Sequence, residues 1–190
     1  MQHHGNRVFG CSKGWRRYTY LKLTLAERFP RLVMVSEATP DGSVYLGPFR
    51  SRRAATEIKE AIEFSIPLRR CTQRISRKAV LAAETPCSST LLGIGKCPCR
   101  GEVPEEDYRA IVERAVVALR SEHRTLLDPI EARMHSYSAQ ERFEEAAQQR
   151  NRLAALSRAL WRVRSVEWLR ASGRIRFDTP DGIREFDGGH

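Results

Sequence analysis

Residues 141–156 read ERFEEAAQQRNRLAAL, a run that repeats apolar and small side chains at helical steps. Phe143, Ala146, Ala147, Arg150, Leu153, Ala154 and Leu156 recur at three- and four-residue intervals, which predicts one stripe along a helix. Glu144, Glu145, Gln148, Gln149, Asn151 and Arg152 occupy the remaining circumference and predict a wet face. The paired alanines leave room for a second helix to approach closely, and Phe143 adds one bulky anchor at the end of the seam. Upstream, Leu126, Leu127, Ile130 and Met134 repeat in the same way. Pro129 sits inside that run, which predicts a helix starting near Asp128, capped by the carboxylate and with proline at its first helical position. The two helices are expected to meet around residues 135–139. A hairpin this short buries too little apolar surface to stand alone, so a third helix or a second copy is expected to complete it. The pattern by itself also fits an ordinary packed helical pair.

Working outward, the first part of the chain reads as β-structure. Tyr18, Tyr20, Leu21 and Leu23 lie in one strand-like run, Leu32 to Val35 in a second, and the turn Pro40-Asp41-Gly42-Ser43 leads into Val44-Tyr45-Leu46. Ser51 is placed to cap a helix over residues 52–64, whose Ala54, Ala55, Ile58, Ala61 and Ile62 form an apolar stripe before Pro67 closes it. An irregular segment covers residues 71–101, with a short helix at 78–84. Pro104 then opens a helix lined by Tyr108, Ile111, Val112, Ala115, Val116 and Leu119. The second hairpin helix is expected to run through Trp161 and Trp168 to Arg170. After Gly173, alternating Ile175 and Phe177, the turn Thr179-Pro180-Asp181-Gly182, and Ile183 and Phe186 predict a final β-hairpin. The expected class is α+β. The expected divisions are an ill-defined 1–17, a sheet, helix and cysteine region over 18–101, a helical region over 102–171, and a tail over 172–190.

Composition narrows the partners. The 190 residues carry a formal charge of +10, mostly as arginine, which favours a polyanion because guanidinium forks grip phosphate bidentately. Between residues 50 and 78, Arg50, Arg52, Arg53, Lys59, Arg69, Arg70, Arg74, Arg77 and Lys78 face only Glu57, Glu60 and Glu63, a surplus of six. Arg50, Arg52, Arg53, Arg69, Arg70, Arg74, Arg77 and Lys78 are therefore the candidate nucleic-acid contacts, a solvated basic face being the alternative. No apolar run approaches a membrane span and no signal-peptide core opens the chain, so a cytoplasmic protein without membrane contact is expected. Five cysteines, odd in number, argue against a secreted disulfide framework. Cys71, Cys87, Cys97 and Cys99 can surround one zinc or iron-sulfur centre, or remain inert thiols, and Cys11 stands apart.

The motif residues Met134, Phe143-Glu144, Ala146-Ala147, Arg150 and Leu156 resemble the UVR motif of the UvrB and UvrC excision-repair families. Upstream, Phe29-Pro30-Arg31-Leu32, Tyr45-Leu46-Gly47-Pro48-Phe49, Pro67-Leu68-Arg69-Arg70-Cys71, Pro98-Cys99-Arg100-Gly101 and Tyr108 are similar, in order, to UvrC-type chains. The resemblance spans residues 20–160 and places a UVR-type antiparallel hairpin at about 126–161. It implies docking on a UvrB-like protein or another UVR hairpin through Met134, Phe143, Glu144, Ala146, Ala147, Arg150, Leu153 and Leu156. It also implies DNA as a partner and a four-iron four-sulfur cluster, ahead of zinc, on the four late cysteines. This chain departs in spacing there. In the family's register Gly95 takes the third cysteine's place, and Cys97 lies two residues late.

The GIY and YIG segments of the associated nuclease domain are absent, and the chain joins the family pattern just downstream of that domain's active centre. Asn6 matches the late nuclease asparagine poorly. Asp41, Asp178 and Asp181 fall in turns, where aspartate caps its own backbone. His123 and His135 lie near helix ends without spaced metal-ligand partners. The resemblance thus implies a nucleotide-excision-repair module that binds DNA, docks a UVR-bearing partner and does not cut alone. The alternatives are the rear part of a GIY-YIG endonuclease encoded upstream, or a metal or redox sensor built on the cysteines.

Overall fold

Strand β1 (Thr19–Leu23) turns Leu21 and Leu23 fully inward while Tyr20 and Lys22 on the opposite face stay half-covered. A computed structural model of the protein describes residues 18–72, 75, 76, 78, 97–100, 103–180 and 182–187. Asn6, Cys11, Arg74, Arg77, Cys87 and nearly all of the helix expected at 78–84 lie outside the described residues. β1 is central in a three-stranded antiparallel sheet, flanked by β2 (Leu32–Val35) and β3 (Val44–Phe49) in the order β2-β1-β3. Register puts Leu23 opposite both Leu32 and Val44, so the period-2 pattern concentrates leucine and valine on one face. In the turn before β3, Asp41 accepts a hydrogen bond from the Ser43 backbone (3.1 Å) and pairs with Lys22. The Lys22 ammonium holds that exposed carboxyl far below the usual carboxylate range. Gly47 has φ 133°, and a Cβ there would lie 3.0 Å from the Tyr20 ring and 3.2 Å from the Thr19 carbonyl oxygen, so the close strand approach excludes a side chain.

Helix α1 (Arg52–Ser65) covers the leucine face. Ser51 caps it as its sequence predicts, its Oγ accepting from the Ala54 N–H at 3.1 Å. Ala55, Ile58, Ala61 and Ile62 are buried. The helix stops where Ile66, extended at φ −127°, precedes Pro67. A short 3₁₀ turn, Pro98–Arg100, precedes α2 (Glu105–Arg120), α3 (Arg124–Ala139) and α4 (Phe143–Ala171). The last strands, β4 (Arg174–Thr179) and β5 (Gly182–Asp187), form a separate antiparallel pair. Gly173, at φ 65°, supplies the left-handed residue that ends α4.

α3 starts four residues before Asp128, so Pro129 lies within the helix rather than at its opening. Proline there forfeits the bond to the Thr125 carbonyl. Burial decides the outcome: Leu126 and Ile130 on one face are both fully enclosed, and Arg124 pairs with Asp128 at 2.8 Å across the extra turn. α3 also continues through residues 135–139, where the connection was expected, and the reversal occupies residues 140–142. Glu141 takes φ 60°, while the Arg142 N–H donates to the Tyr137 carbonyl (2.9 Å) and its guanidinium lies 4.5 Å from the Tyr137 ring centroid. The third helix needed by the hairpin is α1, which packs on both α3 and α4. Ser65 Oγ ties it to the Leu126 carbonyl at 2.6 Å. One hydrophobic cluster runs from Leu21 through Ile62 and Tyr108 to Val163, so the boundary expected near residue 101 does not divide the core.

Candidate functional site

The hairpin presents two different sides of α4. Gln149, Leu156, Ala159, Leu160 and Val163 are buried, with Leu153 packed partly against them. Phe143 stands 66% exposed, and Glu144 and Arg150 are exposed while Ala146, Ala147 and Met134 are half-buried. Leu156 is 0% exposed, which corrects its assignment as a partner-contacting residue. At about 100° per residue, thirteen positions carry it to the side opposite Phe143. Gln149, assigned to the wet face, is also buried at 7% and its Oε1 accepts from Arg152 at 3.3 Å. Its spacing of four and seven residues from Leu153 and Leu156 is the signal that places it inward. The surface stripe therefore consists of Phe143, Ala147, Arg150 and Ala154, and the inner stripe of Gln149, Leu153, Leu156 and Leu160.

Three sequence motifs converge on one polar node. Tyr108 donates to the Pro30 carbonyl at 2.6 Å and accepts from the Arg69 N–H at 2.9 Å, its ring edge-on to Phe29 with centroids 5.8 Å apart. Burial pushes the Tyr108 phenol up to about 12, so it remains a neutral donor. The Arg69 side chain is 1% exposed; Nε donates to the Phe29 carbonyl (2.7 Å), Nη1 to the Cys71 carbonyl (3.3 Å) and Nη2 to Glu27 (2.7 Å). Arg31 Nη1 reaches the same Cys71 carbonyl at 3.5 Å.

This node fixes the backbone that presents Cys71. The Sγ atoms of Cys71, Cys97 and Cys99 all lie within 4.8 Å of one another, Cys97 and Cys99 at 2.9 Å. Cys97 is buried with its Sγ within 4.8 Å of that of Cys71, so its two-residue offset from the family register does not keep the two apart. Three soft donors this close suit a thiolate-bound cation, because the metal charge offsets repulsion among deprotonated sulfurs.

The basic residues separate into distinct environments. Arg50, Arg52, Arg53 and Lys78 are exposed, Arg53 pairing with Glu57 at 3.1 Å. Arg70 lies 3.3 Å from Glu63 and Lys59 lies 2.6 Å from it. Burial raises the Glu63 carboxyl despite both cations. Arg69 is the second correction: its side chain is enclosed in the node and presents no surface to a phosphate.

The geometry is that of an α+β scaffold carrying a thiol cluster and a helical hairpin with an exposed phenylalanine at the start of its second helix. Residues 18–118 match the family described as UvrC/Cho excinuclease, middle domain, and residues 124–159 match the UvrB/uvrC motif. The chain therefore belongs to the UvrC/Cho excinuclease family and is an excision-repair protein region with a UVR motif. It is similar to the UvrABC system protein C of Caldanaerobacter subterraneus subsp. tengcongensis, 31% identical over 143 residues, 75% of this chain and 23% of that protein. The UvrABC system protein C of Clostridium botulinum (strain Okra / Type B1) is 31% identical over 138 residues, 73% of this chain and 22% of that protein. The chain thus spans less than a quarter of the length of these curated relatives. No solved structure matches it. Among the described residues, no helix is long and apolar enough to cross a membrane.

Proposed function

We propose that this chain is the docking and DNA-positioning part of an excision-repair nuclease system, pairing its α3–α4 hairpin with the UVR hairpin of a UvrB-like protein. The observation that carries this reading is Phe143, a large apolar side chain left 66% exposed at the start of α4 inside the UVR match. Ala147 beside it permits close helix approach, and Arg150 is exposed to meet an acidic partner group. Arg50, Arg52, Arg53 and Lys78 supply the basic surface for DNA. No catalytic role falls to the described residues in this reading, and cleavage belongs to the nuclease segments of the system. Titration against a UVR-bearing UvrB-like protein tests it: Phe143→Ala is expected to weaken docking by about 2 kcal/mol or more. Binding unchanged by that substitution rejects the hairpin surface.

A thiolate-bound metal centre on Cys71, Cys97 and Cys99 is the second element, with Cys87 as the fourth ligand and a four-iron four-sulfur cluster ahead of zinc. It would hold the chain between α1 and α2 against the Arg69 node. Protein purified anaerobically is expected to contain bound metal, with broad visible absorption if iron-sulfur, and Cys99→Ser is expected to lose it. A folded, colourless and metal-free wild-type protein rejects the centre.

A further inference from the structure

Trp161 and Trp168 stand 69% and 64% exposed on α4, two helical turns apart and therefore on one face. Both fall outside the residues that match the UVR motif. Ser165 and Arg164 lie between them, and the Ser165 Oγ donates back to the Trp161 carbonyl at 2.9 Å. Arg158 and Arg162 flank this line on one side and Arg164 on the other, all exposed. Elsewhere Arg53, Arg124 and Arg142 are each held by a carboxylate at 3.1, 2.8 and 2.7 Å. Among the described residues, no such carboxylate pairs with Arg158, Arg162 or Arg164. Residues 146–177 contain eight arginines and one acid, Glu167.

We propose that this half of α4 binds single-stranded nucleic acid, with the Trp161 and Trp168 indoles stacking on bases and Arg158, Arg162 and Arg164 holding the adjacent phosphates. Two indoles with Ser165 and Arg164 between them do not form the contiguous apolar surface that helix packing needs. Bases bring a flat π-face to each ring and a phosphate to each arginine, matching both features at once. A duplex hides its base faces in the stack, so the single strand is the fitting form. The indoles are about 10 Å apart along the axis, roughly three base-stacking intervals.

The surface goes beyond the hairpin docking proposed above, because Trp161 lies about 27 Å along the helix from Phe143. The full chain is titrated with labelled oligothymidylate, with a duplex of equal length and with a glutamate-rich helical peptide. The joint substitution W161A/W168A is expected to weaken oligothymidylate binding about tenfold or more, and W161F/W168F to retain most of it. R158Q/R162Q/R164Q is expected to reduce the salt dependence. Docking of a UVR-bearing partner is expected to be unchanged in all three, so failure at Phe143 and failure here are separable. The proposal is overturned if W161A/W168A binds the oligonucleotide as the wild type does, if duplex is preferred, or if the acidic peptide alone occupies the indoles.

Discussion

Arg69→Ala is expected to destabilise the protein by about 3–5 kcal/mol, read as a fall in the midpoint of urea unfolding. The guanidinium is 1% exposed and bonds to the Phe29 carbonyl, the Cys71 carbonyl and Glu27. Truncation strips the Phe29 carbonyl of this donor, takes one of two arginines from the Cys71 carbonyl, unpairs Glu27 from its buried guanidinium, and leaves a cavity where that side chain lay. Arg69→Lys is expected to recover only part of the loss, since one ammonium cannot reproduce a planar fork aimed at three acceptors. A loss below about 1 kcal/mol would show that the node is dispensable. Any loss of DNA affinity in Arg69→Ala would come through the fold and not through a missing phosphate contact.

Leu156→Ala is expected to cost about 2–5 kcal/mol of stability, whereas Phe143→Ala on the same helix changes it by less than about 0.5 kcal/mol. Leu156 is fully enclosed among Leu160, Ile130 and the rest of the common core, so its removal leaves a cavity. Phe143 is mostly in water already. Thermal unfolding of the two variants side by side checks the contrast. Equal losses would mean that the inner and outer sides of α4 have been assigned to the wrong residues.

That contrast also marks what the sequence could reveal. Short-range rules worked where one local force dominates: strand alternation at Leu21 and Leu23, the Ser51 cap, and the reversal through Gly173 into β4 and β5. They failed where packing overrode a local preference. Pro129 is a helix opener by propensity, yet the burial of Leu126 and Ile130 on one face carries α3 a turn further upstream. The rotation of α4 is not fixed by its sequence, because Ala146, Ala147 and Ala154 fit either a docking seam or a core seam, and packing against α1 and α3 decides between them. Arg69 counted as surface charge for a similar reason. Its acceptors at Phe29 and Glu27 lie about forty positions away, beyond any local pattern. Of the cysteines singled out from sequence, Cys71, Cys97 and Cys99 come together, with the Cys71 carbonyl held by this same distant node.

α4 is 29 residues long, far more than the hairpin alone requires. Phe143 near one end and Trp168 near the other are about 38 Å apart on a single rigid axis. A helix of this kind is a spacer with no slack: ligands at its two ends bind at a set distance, without the entropy cost of a flexible tether. A repair partner seated at the hairpin tip and a strand seated on the indoles would thus be held in fixed register. The length of one helix would then act as the gauge of how far from the docked partner the nucleic acid is gripped.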